Sequence, residues 1–231
     1  MLRNYEDFIE ILLDAGFSMA GSGADGIYSI TGGWNDDALS DSPIRWHTGC
    51  PDTDPWEWRM RVLEERDDIA YTAKMFFKKS GYITRQWYPY FLAARRGDIT
   101  FEEAYEEGIA SHFAKRVYDV VAAHDTIPSH AIKQLAGFAK DDKSAFDRAL
   151  TELQMQMFIT MCGRRQKISQ KGEEYGWSST VLCTTERFFG ESIFEESSKI
   201  STNEAIEKIT QQVLKLNPQA DSKKIRKFIL G

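Results

Sequence analysis

The sequence predicts an α+β fold, mostly helical, organised around a winged helix-turn-helix in its second half. Three observations carry that expectation. Three short helical segments follow one another between Ile109 and Met157, two β-prone runs come after them, and the loop between those runs is basic. A helix lying in the major groove beside a basic loop that meets phosphates is a DNA-docking arrangement. Double-stranded DNA is therefore the expected partner.

The first segment, 109–123, sets Ile109, Phe113, Val117 and Val120/Val121 at spacings of three and four, one helical face. After the break at His124–Pro128, Ser129 is placed to cap a second helix that buries Ile132 and Leu135 and stops at Gly137. Asp142 or Ser144 caps a third, whose apolar face is Phe146, Leu150, Leu153 and Met157. Its polar face offers Ser144 and Arg148 to DNA. Residues 157–161 and 177–185 are the β-prone runs. Between them, residues 163–172 carry Arg164, Arg165, Lys167 and Lys171 and no acid, a loop suited to phosphates. A small helical domain with a hairpin, never meeting DNA, would need the same core residues.

At 231 residues the chain can hold one or two domains with proper cores. Its 42% hydrophobic and 28% charged content are those of a soluble globular protein. No run of about 18 apolar residues exists, so no membrane span is expected. The start turns acidic at once, without a signal-peptide apolar block, and a cytoplasmic protein is expected. Cys50, Cys162 and Cys183 form no CxxC pair, which argues against a disulfide framework or a cysteine-rich zinc site. No metal and no cofactor are expected. The net charge of −6 opposes nucleic-acid binding until it is located: residues 1–68 hold 5 Lys+Arg against 15 Asp+Glu, and the rest hold 24 against 20. The acid sits in the first third and the base in the candidate DNA-binding part.

In the first third, Tyr5, Phe8, Ile9, Leu12 and Leu13 predict an amphipathic helix ended by Gly16. Gly21-Ser-Gly23-Ala-Asp-Gly26 spells GxGxxG, but a helix precedes it and a β-prone run, 27–30, follows, the reverse of the dinucleotide context. It reads as a loop. Residues 36–55 are polar and loop-like. His47, Cys50, Asp52 and Asp54 are metal-ligand types at no recognised spacing. Asp54, Pro55 and Glu57 instead make a capping-box-like helix start, and Trp56, Met60 and Leu63 share one face of that helix.

Residues 69–97 contain no acid, six cations and eight aromatics. Cations for phosphates interleaved with aromatics for bases is a nucleic-acid signature, and Lys78, Lys79 and Arg85 are its candidate contacts. Phe76, Phe77, Trp87 and Phe91 serve a core equally well. Thr100 and Glu103 form a second capping box, opening a short acidic helix that Gly108 ends. Beyond 185, an acidic connector leads to a helix capped by Asn203 and a last helix, 220–230, with Lys223, Lys224, Arg226 and Lys227 on its polar side. The expected division is 1–108, an acidic α+β domain with a Trp-rich helix; 109–190, the winged helix; and 191–231, a helical tail.

Asp54-Pro-Trp-Glu-Trp-Arg59, the run Phe76–Ile83 leading to Trp87-Tyr-Pro-Tyr-Phe91, and Ala149–Leu153 entering a wing together resemble AlkZ-related proteins. These are compact relatives of the AlkZ/YcaQ-type glycosylases, winged-helix enzymes that remove alkylated and crosslinked bases from DNA. The resemblance spans most of residues 45–230 and implies a DNA-repair role. Those glycosylases use an early Gln-x-Gln or Gln-x-Asp pair, which residues 1–100 lack; Gln154-Met-Gln156 matches by letters at the end of the recognition helix. Cleaving a glycosidic bond otherwise needs a carboxylate or amide beside a base-sized pocket. Asp52, Asp54 and Glu57 are the catalytic candidates here, with His47, Trp56, Trp58 and Arg59 as pocket residues. A winged-helix transcription regulator and a protein-interaction module are the alternatives.

Overall fold

The computed structural model describes residues 2–21, 23–32, 42–168 and 171–231, and of Trp177 the backbone only. Helix occupies 48% of the described residues and strand 18%, in two small antiparallel sheets, so the fold is α+β with more helix than strand. The first part of the predicted polar loop (residues 36–41), Ser22 of the glycine-rich stretch, and Ser169 and Gln170 of the basic run lie outside the described residues.

Helix α1 (Tyr5–Ala15) is capped by Asn4, whose side chain accepts from Asp7 N, and ends at Gly16 in the left-handed region. Only glycine fits there: a Cβ on Gly16 would lie 2.1 Å from the Trp87 indole. Strand β1 (Phe17–Met19) follows, then α2 (Pro55–Glu65), capped by Asp54 with Pro55 in the first turn as predicted. Strands β2 (Ile69–Phe76) and β3 (Lys79–Thr84) turn through Phe77 and Lys78, both at positive φ, as a two-residue hairpin requires. The first sheet has the order β1-β3-β2. Helix α3 (Tyr88–Arg95) and α4 (Phe101–Glu106) come next, and the Thr100/Glu103 capping box forms.

Successive strand residues point to opposite faces, and here both faces are buried. Ile69, Tyr71 and Tyr82 join a core with α1, α2 and α4, whereas Ala70, Phe76, Ile83 and Phe17 join one with α3 and the C-terminal helices. That is why the pairs and triplets Ile69–Tyr71, Met75–Phe76 and Tyr82–Ile83 read as continuous apolar runs rather than as an alternation.

The second sheet, order β4-β6-β5, joins β4 (Ile127–Pro128), β5 (Ile159–Ile168) and β6 (Glu174–Thr184). Helices α5 (His112–Ala122), α6 (Ser129–Leu135) and α7 (Lys143–Met155) pack Val117, Ile132, Phe146 and Leu153 against its Ile127, Ile159 and Leu182. Several expectations shift. Leu135 is 59% exposed and Ile109 53%, so neither joins the core. Pro128, not Ser129, stands before α6. The basic stretch is mostly strand, because β5 runs on through Arg164, Arg165 and Lys167 to Ile168. Apolar β-prone residues mark only the buried base of this hairpin; its solvated outer half is polar and reads as loop.

Helices α8 (Thr185–Phe189), α9 (Ser192–Ser197), α10 (Thr202–Leu216) and α11 (Ser222–Leu230) complete the chain. Ser201, not Asn203, caps α10, and Asp221 caps α11. A buried hydrogen bond of 2.9 Å between the Thr72 and Thr160 hydroxyls ties β2 to β5. No described helix is long and apolar enough to cross a membrane.

Candidate nucleic-acid interface

Three depressions run into one another on a single side of the molecule. The first lies along the exposed face of α7, lined by Lys143, Ser144, Asp147, Arg148 and Thr151. Asp147 and Thr151 also line the second, about 370 Å³, between α7, β2 and β6. Ala73 and Thr180 are common to the second and the third, about 470 Å³, between α2, β2 and the β5–β6 hairpin. Helical and strand geometry explain the lining. Ser144, Asp147, Arg148 and Thr151 fall three and four apart, opposite the buried Phe146, Ala149 and Leu153. On the hairpin, Arg164 pairs with Thr180 and Arg165 with Ser179, so Arg164 and Gln166 reach the cleft. Arg165 and Lys167 act on His130 from the other face. The His130 imidazole hydrogen-bonds Ser179 Oγ at 2.8 Å. Burial first, then Lys167 and Arg165, lowers its pKa.

The Trp-rich helix supplies the far wall. Trp56 is 43% exposed at the rim, with the Arg59 guanidinium 3.3 Å from its ring centroid and the His47 ring 4.9 Å away. Glu57 and Arg59 line the same cavity. Trp58 does not: two residues on is about 200° around the helix, which puts it fully in the core, stacked on Phe8 at 4.9 Å, its Nε1 donating to the Asp52 carbonyl. The expectation that Trp58 lines a pocket is corrected.

Asp54 is also a structural residue. Its carboxylate accepts from the backbone N–H groups of His47, Thr48, Gly49 and Trp56 at 2.7–3.1 Å. Burial pushes its pKa up, but those four donors outweigh it and hold the group below the ordinary carboxylate value. It is an anion fully used in folding the 47–54 loop onto α2. Asp52 is exposed and its backbone carbonyl, not its side chain, holds Tyr5 N and Trp58. Of the three carboxylates, Glu57 is the one at the cleft.

Gln154 lines the central cavity; Gln156 follows the last turn of α7, and its Oε1 is buried without a partner among the described residues. Lys79 and Arg85 are not at the cleft. Lys79 is paired with Asp25 at 2.7 Å and Arg85 with Glu196 at 2.7 Å, across the far side of the first sheet. Lys78 sits in the β2–β3 turn next to Lys79. Lys171 is exposed, at the hairpin's outer end. Arg148, Arg164 and Arg165 are exposed and form no ion pair among the described residues. Sequence reasoning missed Lys74, Gln166, Ser178 and Thr180, which complete the cleft. Lys74 was visible as a lone cation on β2; the others carry no signal apart from the pairing that places them.

No curated protein and no solved structure matches the chain. The model of the AlkZ-related family matches residues 2–230, nearly end to end; the chain belongs to the AlkZ-related family and is a relative of AlkZ-type DNA-repair proteins.

Proposed function

We propose that residues 109–190 form a winged helix-turn-helix that docks double-stranded DNA, with α7 as the recognition helix and the β5–β6 hairpin as the wing, in a repair-related role. The observation that carries this reading is the continuity of α7's exposed face, the hairpin and the Trp56 rim of α2 in one cleft. The order α5-β4-α6-α7-β5-β6, with β6 between β4 and β5, is that expected of a winged helix. Ser144 and Arg148 face the groove, and Arg164, Arg165, Lys167 and Lys171 meet phosphates. Residues 1–108 bring the Trp-rich wall, and the helices of 191–231 pack on α3, on the other face of the first sheet. Lys78, Lys79 and Arg85 have no part in this contact. Glu57 is the carboxylate placed to polarise a water against a glycosidic bond.

The test is a salt titration of binding to undamaged and alkylated duplexes, followed by an abasic-site assay. A steep salt slope with base release that Glu57→Gln abolishes supports a glycosylase. A steep slope without release leaves a non-catalytic DNA binder. No binding at low salt overturns the reading. A protein-interaction module then takes its place, a role favoured by the apolar Leu135, Ile168 and Tyr175, all more than half exposed on α6 and the hairpin.

A further inference from the structure

The last helix carries a charge pattern that the cleft does not use. Ile225, Phe228 and Ile229 of α11 are buried in the core shared with α3, while Lys223, Lys224, Arg226 and Lys227 are all exposed. None of the four forms an ion pair among the described residues. Asp221, next to them in sequence, uses its carboxylate as the cap, accepting from the backbone N–H groups of Lys223 and Lys224 at 3.0 Å. Asp25, on the loop that Lys224 lies over, is already paired with Lys79. The arrangement works against the helix. Lys223 and Lys227 are a like-charge pair four residues apart, and Lys223 with Arg226 and Lys224 with Lys227 are pairs three apart, each destabilising. Lys223 and Lys224 also stand in the first turn, where the helix dipole disfavours cations. On the neighbouring α10, by contrast, Glu204 precedes Lys208 by four, the favourable order. A helix face that gathers cations without neutralising them is suited to an anion the chain itself does not supply.

The place of α11 in the fold says which anion. Gly231, at its C-terminal end, lies against Met155, the last residue of α7: a Cβ on Gly231 would be 3.3 Å from Met155 Cε. Arg95 clamps the junction by donating to the carbonyls of Met155, Phe228 and Ile229. Met155 is one turn beyond Thr151 on α7, and Lys227 is one turn before Gly231 on α11. Two rises of about 6 Å and one helix contact therefore separate the recognition face from the α11 cations, less than one turn of duplex, about 34 Å.

We infer that α11 is a second DNA contact, in which Lys223, Lys224, Arg226 and Lys227 meet backbone phosphates of the duplex flanking the segment docked on α7. The inference rests on the DNA-binding reading above and extends its footprint past the cleft. Exposed cations of this kind neutralise phosphates without reading base edges, so the contact adds affinity and reach but no sequence preference.

The experiment uses the full chain and follows binding by anisotropy across a salt series, on labelled duplexes of about one helical turn and about two and a half turns. The short duplex fills the cleft alone; the long one also reaches α11. The wild type should show a steeper salt slope on the long duplex, by about 0.9 for each added phosphate contact. Replacing the four α11 cations together with Gln keeps the buried face of the helix. It should remove that increment and weaken binding to the long duplex several-fold at low salt, with the short duplex unaffected. Because it relieves like-charge pairs, it should leave Tm equal or higher. Lys208→Gln with Lys215→Gln on α10 should change neither slope. Equal wild-type slopes on the two lengths, or an increment that survives in the α11 variant, overturn this inference and spare the DNA reading. A fall in Tm makes the four cations part of the fold and overturns it too, as does an equal loss of slope on both lengths, which sets α11 within the cleft's own footprint. Loss of binding to anionic phospholipid vesicles with DNA binding unchanged gives this face to a membrane surface instead. No wild-type binding to either duplex removes both readings.

Discussion

Residues 69–97 and residues 163–172 have the same signature, cations with no acid, and opposite fates. In the first stretch the charge is used internally. Arg95 donates to the carbonyls of Met75, Met155, Phe228 and Ile229, and burial pushes its pKa down to about 10. Arg96 is buried against Glu186 at 2.7 Å, and Arg85 and Lys79 have acidic partners from distant segments. The aromatics fill a core, with Phe76 stacked on Phe228 at 4.1 Å. In the second stretch the strands run past the edge of the packed core, and Arg164 and Arg165 stay in solvent. Composition registers that cations are present; whether the fold supplies partners decides what they do.

The contrast is tested hardest at Arg95. Arg95→Ala leaves four carbonyls without their donor and should cost about 3–5 kcal/mol, read as a fall in Tm of about 10 °C. Folded protein at low temperature should still bind duplex with the wild-type salt slope. If the slope falls instead, the first stretch is not purely structural.

The hairpin should respond the other way. Replacing Arg164, Arg165, Lys167 and Lys171 with Ala together should leave Tm within a few degrees. The slope of log K against log salt should fall by about 0.9 for each phosphate that is no longer neutralised. Lys78, Lys79 and Arg85 replaced together should leave that slope unchanged. Equal effects from the two sets would erase the distinction between the two stretches.

Asp54→Asn should cost about 1–2 kcal/mol, the cost of a weakened cap and loop anchor. The carboxyl is depressed in the folded state, so its contribution is present above the ordinary carboxylate pKa and is lost as pH falls through the folded value. Chemical denaturation across that acid range should show this loss in the wild type and not in the variant.

The smallest effect belongs to His130. Its folded pKa lies below the ordinary histidine value, so its contribution to stability is present above that ordinary value and lost as pH falls through the folded one. Removing Arg165 and Lys167 should raise the His130 pKa in an NMR titration. Phosphates docked on those cations should raise it too, so DNA binding should take up a proton. A His130 pKa that DNA leaves unmoved would place the phosphates away from this face of the hairpin.

Much of the local structure was legible. Asp54 with Pro55, Thr100 with Glu103, and the apolar spacing in α1, α5 and α7 all signal through contacts within one turn of helix, so neighbouring residues suffice to read them. The outer half of the β5–β6 hairpin was not legible, because a solvated strand carries no apolar period. Nor were the exposure of Leu135 and the burial of Trp58 and Arg95. Each depends on what a segment far along the chain sets against that position.

By itself, then, the sequence determined the longer amphipathic helices, the Asp54 and Thr100 caps, the basic character of residues 163–172 and the AlkZ-related kinship, all features written in short spans or in overall likeness. Tertiary structure alone decided which cations stay in solvent and that Trp56, Ala73, Gln154 and Arg164 border one cleft. The physical reason is that burial and pairing are long-range. A side chain's partner, as with Arg85 and Glu196 or Thr72 and Thr160, comes from residues about a hundred positions away, and no local pattern announces it.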